Sequence, residues 1–241
     1  MDTGIIGAGP IGAGLAAHLV KLGHTVSIAN SRGPASLLQV AANTGAAAAT
    51  VPEAIREKQL IIVTIPQKNI PDLPKEMFRQ LPADTVVIDT CNYYPLLRDG
   101  VIPALEESGL DSLWVQEQLG VPVVKVFNSI FAESLHDKGL PAGDKNRIAL
   151  SVSGDKAAAK KIVLHLVEAI GFDAVDIGSI ADSWKQQPGS SIYCRDITLP
   201  VLEERLAAMA TTGRAEATAQ RKADEALMNT DMAAYLRKMR G

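Results

Sequence analysis

Short apolar runs alternate with segments of helical periodicity through the first three-quarters of the chain, and this alternation predicts a parallel sheet with helices on both faces. Residues 3–6 read as a strand that enters a glycine-rich turn. A helix follows with an apolar stripe of Leu15, Leu19 and Leu22, and Gly23 stops it before a second strand at 25–29. A proline-led helix over 34–43, a short edge strand at 46–50 and a short helix at 52–57 come next. Residues 60–65 are continuously apolar, as a parallel strand covered on both faces requires, and 85–89 repeat that character. Pro66, Pro71 and Pro74 interrupt the helical stretch between them.

Further strands are predicted at 121–127, 148–153 and 172–177. Helices are predicted at 103–108, 114–119 and 156–170, the last turning Ile162, Val163, Leu166 and Ile170 inward. After Gly178 the strand pattern ends, and 180–187 and 197–236 read as helices with breaks at Pro188-Gly189 and Thr211-Thr212-Gly213. The expected fold class is α/β: a doubly wound, mostly parallel sheet of about eight strands over residues 1–178. Residues 179–241 then form a small C-terminal helical cap and tail.

The turn Gly7-Ala8-Gly9-Pro10-Ile11-Gly12 carries the first chemistry. A GxGxxG placed between a strand and a helix needs its glycines for a tight turn, close approach of backbone to a pyrophosphate, and close contact of helix with strand. The helix N-terminus adds free N–H groups and the positive end of its dipole. Strand, turn, helix and second strand arrive at the required spacings, so the expectation is a Rossmann-like dinucleotide site. Its second strand ends in Asn30-Ser31-Arg32 rather than in the Asp or Glu that would bond the ribose hydroxyls of NAD. With no carboxylate to repel a 2′-phosphate, and Arg32 and Ser31 able to bind one, the pattern points to NADP(H).

The other strand ends supply the remaining candidates. Thr64, Ile65 and Pro66 form an apolar wall for the adenosine half, and Asn92 and Asn128 are the polar groups expected near the nicotinamide end. Asp89 reads as a turn cap, while Lys125, inside a strand, either points past an edge or pairs with a carboxylate. No acid–base pair stands out, leaving Tyr93 and His136 as the candidate proton donors. Hydride transfer between stacked rings needs positioning and exclusion of water more than a protein acid. Three functions fit: an oxidoreductase with a planar acceptor, a reductase of a small carbonyl or imine using Tyr93 or His136, and a non-catalytic dinucleotide-sensing or interaction domain.

Composition narrows the partners. A formal charge of −3 over 241 residues gives no reason to expect nucleic acid or an anionic membrane. No apolar run reaches the length of a membrane span, and a strand beginning almost at Met1 leaves no room for a leader, so a cytoplasmic location is expected. Cys91 and Cys194 read as reduced thiols, and the four histidines never approach a metal-ligand spacing. The tail over 215–236 carries a shallow stripe of Ala219, Ala223, Ala226 or Leu227, Thr230, Ala233 or Ala234, and Leu236. Its expected place is across a two-fold mate.

The segments IIGAGPIGAGLAAHLVKLGHTV, NSRGP, VIDTCNY, VVKVFNSI and ADSWKQQPG together resemble the small NADPH-dependent reductases typified by NADP-dependent 8-hydroxy-5-deazaflavin coenzyme oxidoreductase. The same module is similar to the cytoplasmic reductase domain of STEAP metalloreductases. The resemblance implies NADP(H) on Gly7, Gly9, Pro10, Ile11 and Gly12, with Ser31 and Arg32 on the 2′-phosphate. It further implies nicotinamide beside Asn92 and Asn128, a deazaflavin or flavin as second cofactor, and a homodimer. One departure is Gly33-Pro34-Ala35, where the family carries further polar or basic residues.

Overall fold

The computed structural model describes residues 1–240 and orders them as follows. The first half holds β1 (Asp2–Ile6), α1 (Pro10–Lys21), β2 (Thr25–Ala29), α2 (Leu38–Thr44), β3 (Ala47–Ala49), β4 (Leu60–Val63), α3 (Lys75–Arg79), β5 (Val86–Asp89), α4 (Pro103–Ser108) and α5 (Asp111–Leu119). The second half holds β6 (Val124–Lys125), α6 (Ala132–Asp137), β7 (Ala149–Val152), α7 (Ala157–Ile170), β8 (Asp173–Asp176), α8 (Leu199–Thr212), α9 (Arg214–Thr230) and α10 (Met232–Arg240).

β1 to β6 form one parallel sheet in the order β3-β2-β1-β4-β5-β6, so strand order reverses between β1 and β4. Register decides which residues share a face. Ile28, Ile5, Ile62, Ile88 and Val124 lie in one row across five strands. They pack against Leu15 and Leu19 of α1, Leu135 of α6, and Val163 and Val167 of α7. The next row runs Ala29, Ile6, Val63, Asp89 and Lys125 on the opposite face. Its first three members join Phe78, Trp114, Val115 and Leu119 in a second core. Each large side chain buried in these layers is worth about 1.5–3 kcal/mol.

Several boundaries differ from the sequence expectation. The eight strands divide into the six-stranded sheet and a separate parallel pair, β7 and β8. The two sheets meet at one antiparallel bridge, Lys125 with Ser153. β6 is only two residues long because Phe127, at φ 59°, turns the chain away. Residues 52–57 form successive turns rather than a helix, ending at Glu57 in the left-handed region. Leu22 caps α1 and is exposed, and on α7 it is Val167, not Ile162, that faces the core.

The face of the tail that meets the rest of its own chain is the charged one. On α9 the buried residues are Arg221, Asp224 and Glu225, whereas Ala219, Ala223 and Ala226 face outward. Arg221 donates to Glu106 at 2.9 Å and lies 4.9 Å over the Tyr93 ring. Glu225 accepts the Leu96 N–H at 2.7 Å. At Gly189, φ 89°, a Cβ would meet the Ala217 carbonyl at 2.2 Å, so the 188–190 turn lies directly on α9. The helix therefore docks on its own chain through charges; only Leu227, Ala234 and Leu236 of the expected stripe are half-buried. α10 adds Tyr235 and Met239 to a small cluster with Tyr193 and Cys194.

Under this cap lies Asp111, fully buried, whose N–H donates to Gln187 Oε1 at 2.9 Å. Its Oδ2 accepts the Tyr93 N–H at 3.3 Å, and Oδ1 has no partner. Burial pushes its carboxyl up from 3.8 to about 6, against the pull of Lys125 and Arg221. The folded chain therefore holds this proton more tightly than the unfolded chain. Asp111 favours folding below about pH 4, and that contribution is lost as pH rises through about 6. Asp111→Asn should remove the dependence while keeping the bond to Tyr93. In urea denaturation the variant's advantage over wild type should grow from pH 4 to pH 8, by up to about 3 kcal/mol.

Candidate functional site

The carboxyl ends of β1, β2 and β4 open into one cleft of about 810 Å³. Its floor is the β1–α1 turn. Gly7 sits at φ 119°, and a Cβ there would meet the Thr64 carbonyl at 2.0 Å; one at Gly12 would meet the Gly7 carbonyl at 2.0 Å. A Cβ at Gly9 would instead project into open space. The turn is thus pressed onto β4 on one side and bare on the other. Pro10 occupies the first position of α1, where a missing N–H costs nothing. The N–H groups of Ile11 and Gly12 fall in the first turn, which has no intrahelical acceptors for them.

The wall beyond β2 is a pinned turn. Asn30 Oδ1 accepts the Arg32 N–H at 2.9 Å, and its Nδ2 donates to Ser36 Oγ at 2.9 Å. Ser36 Oγ also donates to the Gly33 carbonyl at 2.8 Å. Asn30 is thereby spent on shaping the loop, and the side chains of Ser31 and Arg32 stand exposed at the cleft edge. Among the described residues no carboxylate pairs with Arg32. Thr64, Ile65, Pro66, Asn69, Asp72, Leu73 and Pro74 line the cleft from the end of β4 and the segment after it, and Val51 and Pro52 line it from the turn after β3.

The ends of β5 and β6 carry a closed polar circuit. Lys125 and Asp89, adjacent in register and both fully buried, pair at 3.1 Å. Lys125 Nζ also donates to the Cys91 carbonyl, while Asp89 Oδ1 accepts the Cys91 N–H at 2.8 Å. The next residue, Asn92, donates to the Asn128 carbonyl at 3.0 Å. Asn128 Nδ2 donates to Asn92 Oδ1 at 3.1 Å and to the Gln186 carbonyl at 2.7 Å. Gln186 Nε2 returns to the Lys125 carbonyl at 3.3 Å and to Ser153 Oγ at 3.0 Å. Lys125 thus takes the second of its two expected places, paired with a carboxylate, and Asp89 caps its turn.

Asn92 and Asn128 are therefore brought together, and Gly7, Gly9, Asn30, Ser31, Arg32, Thr64, Ile65 and Pro66 line one cleft. The two candidate proton donors are placed elsewhere. The Tyr93 hydroxyl accepts the Ile102 N–H at 2.8 Å, and its ring is buried beneath Arg221. His136 is exposed on α6 beside Asp137, 2.5 Å away. Burial pushes both cysteine thiols up, Cys194 to about 12, which removes them as thiolates near neutrality. Among the described residues no His, Cys, Asp and Glu cluster suits a metal ion, and no helix is long and apolar enough to cross a membrane. Sequence reasoning missed Gln186, whose role depends on a long-range fold, and Asn69 and Asp72. Their position in the loop after a central strand was the available signal.

Order reversal at β1 and β4, the glycine turn at that reversal and the cleft above it define the Rossmann type of NADP-linked oxidoreductase. Residues 2–93 match a family described as NADP oxidoreductase, coenzyme F420-dependent, and the chain belongs to that family. The hypothetical protein SMa0349 from Sinorhizobium meliloti is 30% identical, with TM-score 0.68 over 83% of this chain and 95% of that one. A proposed F420-dependent NADP-reductase from Arthrobacter sp. FB24 is 24% identical, with TM-score 0.63 over 88% and 96%. The protein YjhV of Escherichia coli K12 is 49% identical over 57 residues, which span 24% of this chain and 42% of YjhV.

Removing Lys125 should show how much the circuit depends on its pair. Lys125→Met leaves the buried Asp89 without its cation, with only the Cys91 N–H on its other oxygen, and the Cys91 carbonyl without its donor. Urea denaturation at pH 7 should report a loss of about 3–5 kcal/mol. A variant within about 0.5 kcal/mol of wild type would mean the pair is dispensable.

Proposed function

We propose that the chain binds NADP(H) in the cleft and exchanges hydride between it and a planar deazaflavin or flavin-type acceptor. The observation that carries the cofactor half is the cleft edge. Arg32 is held free of any carboxylate at the end of β2, next to a glycine turn whose open side faces the same space. The bare backbone at Gly9 and the first-turn N–H groups of α1 suit a pyrophosphate, and Arg32 with Ser31 suits a 2′-phosphate. Asn92 and Asn128 stand at the nicotinamide end, held by Lys125 and Gln186 so that their amides stay fixed while a ring packs beside them.

The acceptor half rests on the family description, which names coenzyme F420, a deazaflavin. It also rests on the burial of Tyr93 and the exposure of His136, which leave no candidate acid at the cleft. The bound dinucleotide supplies the hydride, two electrons with one hydrogen nucleus, and a ring acceptor that takes it completes its reduction with a proton from water. The protein's share is to bind, orient and keep water from the facing rings. An NADPH oxidation screen of F420, flavins and small carbonyls tests the acceptor; turnover with a carbonyl alone would overturn it.

Two substitutions test the cofactor half. Arg32→Asp converts a charge-assisted bond into repulsion, and should weaken NADPH binding at least about 10-fold while NADH is held as well or better. Equal affinities of the wild type for NADPH and NADH in the same salt would sink the assignment. Gly9→Val has room for its side chain and ordinary backbone angles, φ −73° and ψ −179°, so circular dichroism should be unchanged. Its isopropyl group would fill the pyrophosphate space, and a folded variant that still binds NADPH normally would place the phosphate site elsewhere.

A further inference from the structure

We infer that Asp72 reads the base of the dinucleotide, accepting a hydrogen bond from the 6-amino group of adenine and so selecting adenine over a 6-oxopurine. This rests on the NADP(H) reading above and extends it to the far end of the same cleft. With phosphates at the glycine turn and the Ser31–Arg32 edge, the remaining length of the cleft lies between two loops. One is the 51–52 turn after β3, and the other is the 69–74 segment after β4. Val51, Pro52, Ile65, Pro66, Leu73 and Pro74 all line the cleft. Proline rings and branched aliphatics make a lining that suits a flat heterocycle.

Only two polar side chains stand on that outer part of the lining, Asn69 and Asp72. They are linked: the Asn69 N–H donates to the Pro66 carbonyl at 3.0 Å, and Asn69 Nδ2 donates to Asp72 Oδ2 at 3.2 Å. One carboxylate oxygen is therefore fixed from within the loop. Pro71 and Pro74 limit how the backbone on either side can move. The neighbouring cations are turned to other tasks, Lys68 to the Arg98 carbonyl at 2.7 Å and Lys75 to the Glu117 carbonyl at 3.2 Å. Among the described residues no cation pairs with Asp72.

An ionised carboxylate only accepts hydrogen bonds. At the 6-position adenine presents an amine that can donate, whereas a 6-oxo base presents a carbonyl whose lone pairs face those of the carboxylate. The same charge keeps the 2′-phosphate at the opposite edge. The cleft thus separates its two recognition tasks by sign, with Arg32 beyond β2 for the phosphate and Asp72 beyond β4 for the amine.

The test is a binding titration of the full chain with NADPH and with reduced nicotinamide hypoxanthine dinucleotide phosphate, which differs only at the 6-position. Wild type should bind NADPH at least about 10-fold more tightly than the hypoxanthine analogue, the size expected for one hydrogen bond to a charged group. Asp72→Ala should bring the ratio near one. Asp72→Asn, whose amide can donate to a 6-oxo group, should bring it to one or below. Asp72 is exposed, so circular dichroism should show both variants folded. A wild-type ratio near one, or a ratio unchanged in both variants, overturns the role of Asp72 while leaving the NADP(H) reading in place. Failure of the wild type to bind NADPH or adenosine 2′,5′-bisphosphate overturns both.

Discussion

The structure depends first on how closely the β1–α1 turn is pressed against the end of β4. Gly7 and Gly12 permit backbone contacts that any side chain would block, and Thr64 is the surface they rest on. Because β1 and β4 are the strands between which the order reverses, this contact fixes the floor of the cleft and its inner wall at once. A looser fit would move Ile65 and Pro66 relative to Gly9, and the two sides of the cleft would no longer face each other at a constant width. Close packing at one point in the middle of the sheet therefore carries the geometry of a site many residues long.

The second organising feature is a row of the sheet that changes character along its length. On β2, β1 and β4 it is Ala29, Ile6 and Val63, and on β5 and β6 it becomes Asp89 and Lys125. A buried ion pair in such a row is costly unless further hydrogen bonds complete it. Here they come from both backbone groups of Cys91, and they lead through Asn92 and Asn128 to Gln186. The polar end of the row coincides with the end of the sheet proposed above to hold nicotinamide. Polarity inside the core and polarity at the site are one connected set of groups.

The sheet and the glycine turn were legible in the sequence because both depend on local patterns. β1, the turn, α1 and β2 are set by glycine spacing and apolar runs, and strands 60–63 and 86–89 by continuous apolar character. Lys125 stood out as a charge inside a strand, but its partner required knowing that β6 lies beside β5. The division into two sheets was not legible, since it follows from the positive φ at Phe127 and a single bridge to Ser153. Tyr93 shows the limit most plainly. A tyrosine next to a site asparagine reads as a proton donor until α9 is seen to cover it, and nothing local in VIDTCNY reveals a residue 128 positions away. In the tail the alanines follow helical spacing, while the contacts with the rest of the chain are made by Arg221, Asp224 and Glu225, which no local pattern marks.

That charged inner face has a thermodynamic consequence. The denaturant response of an unfolding step scales with the surface it exposes, and its heat capacity rises with the apolar part and falls with the polar part. Lifting α9 exposes Arg221, Asp224 and Glu225 along with the Tyr93 ring and Leu227, so the step raises the heat capacity less than baring an apolar helix face of the same area would. The charge contacts of α9 are short and buried, and mobile ions, which screen exposed charges separated by more than about 10 Å at ~0.1 M salt, reach them little. The sheet is held mainly by apolar burial, while the helix over Tyr93 is held largely by desolvated charges that water must take back when it lifts, so one polypeptide attaches two elements by different kinds of contact.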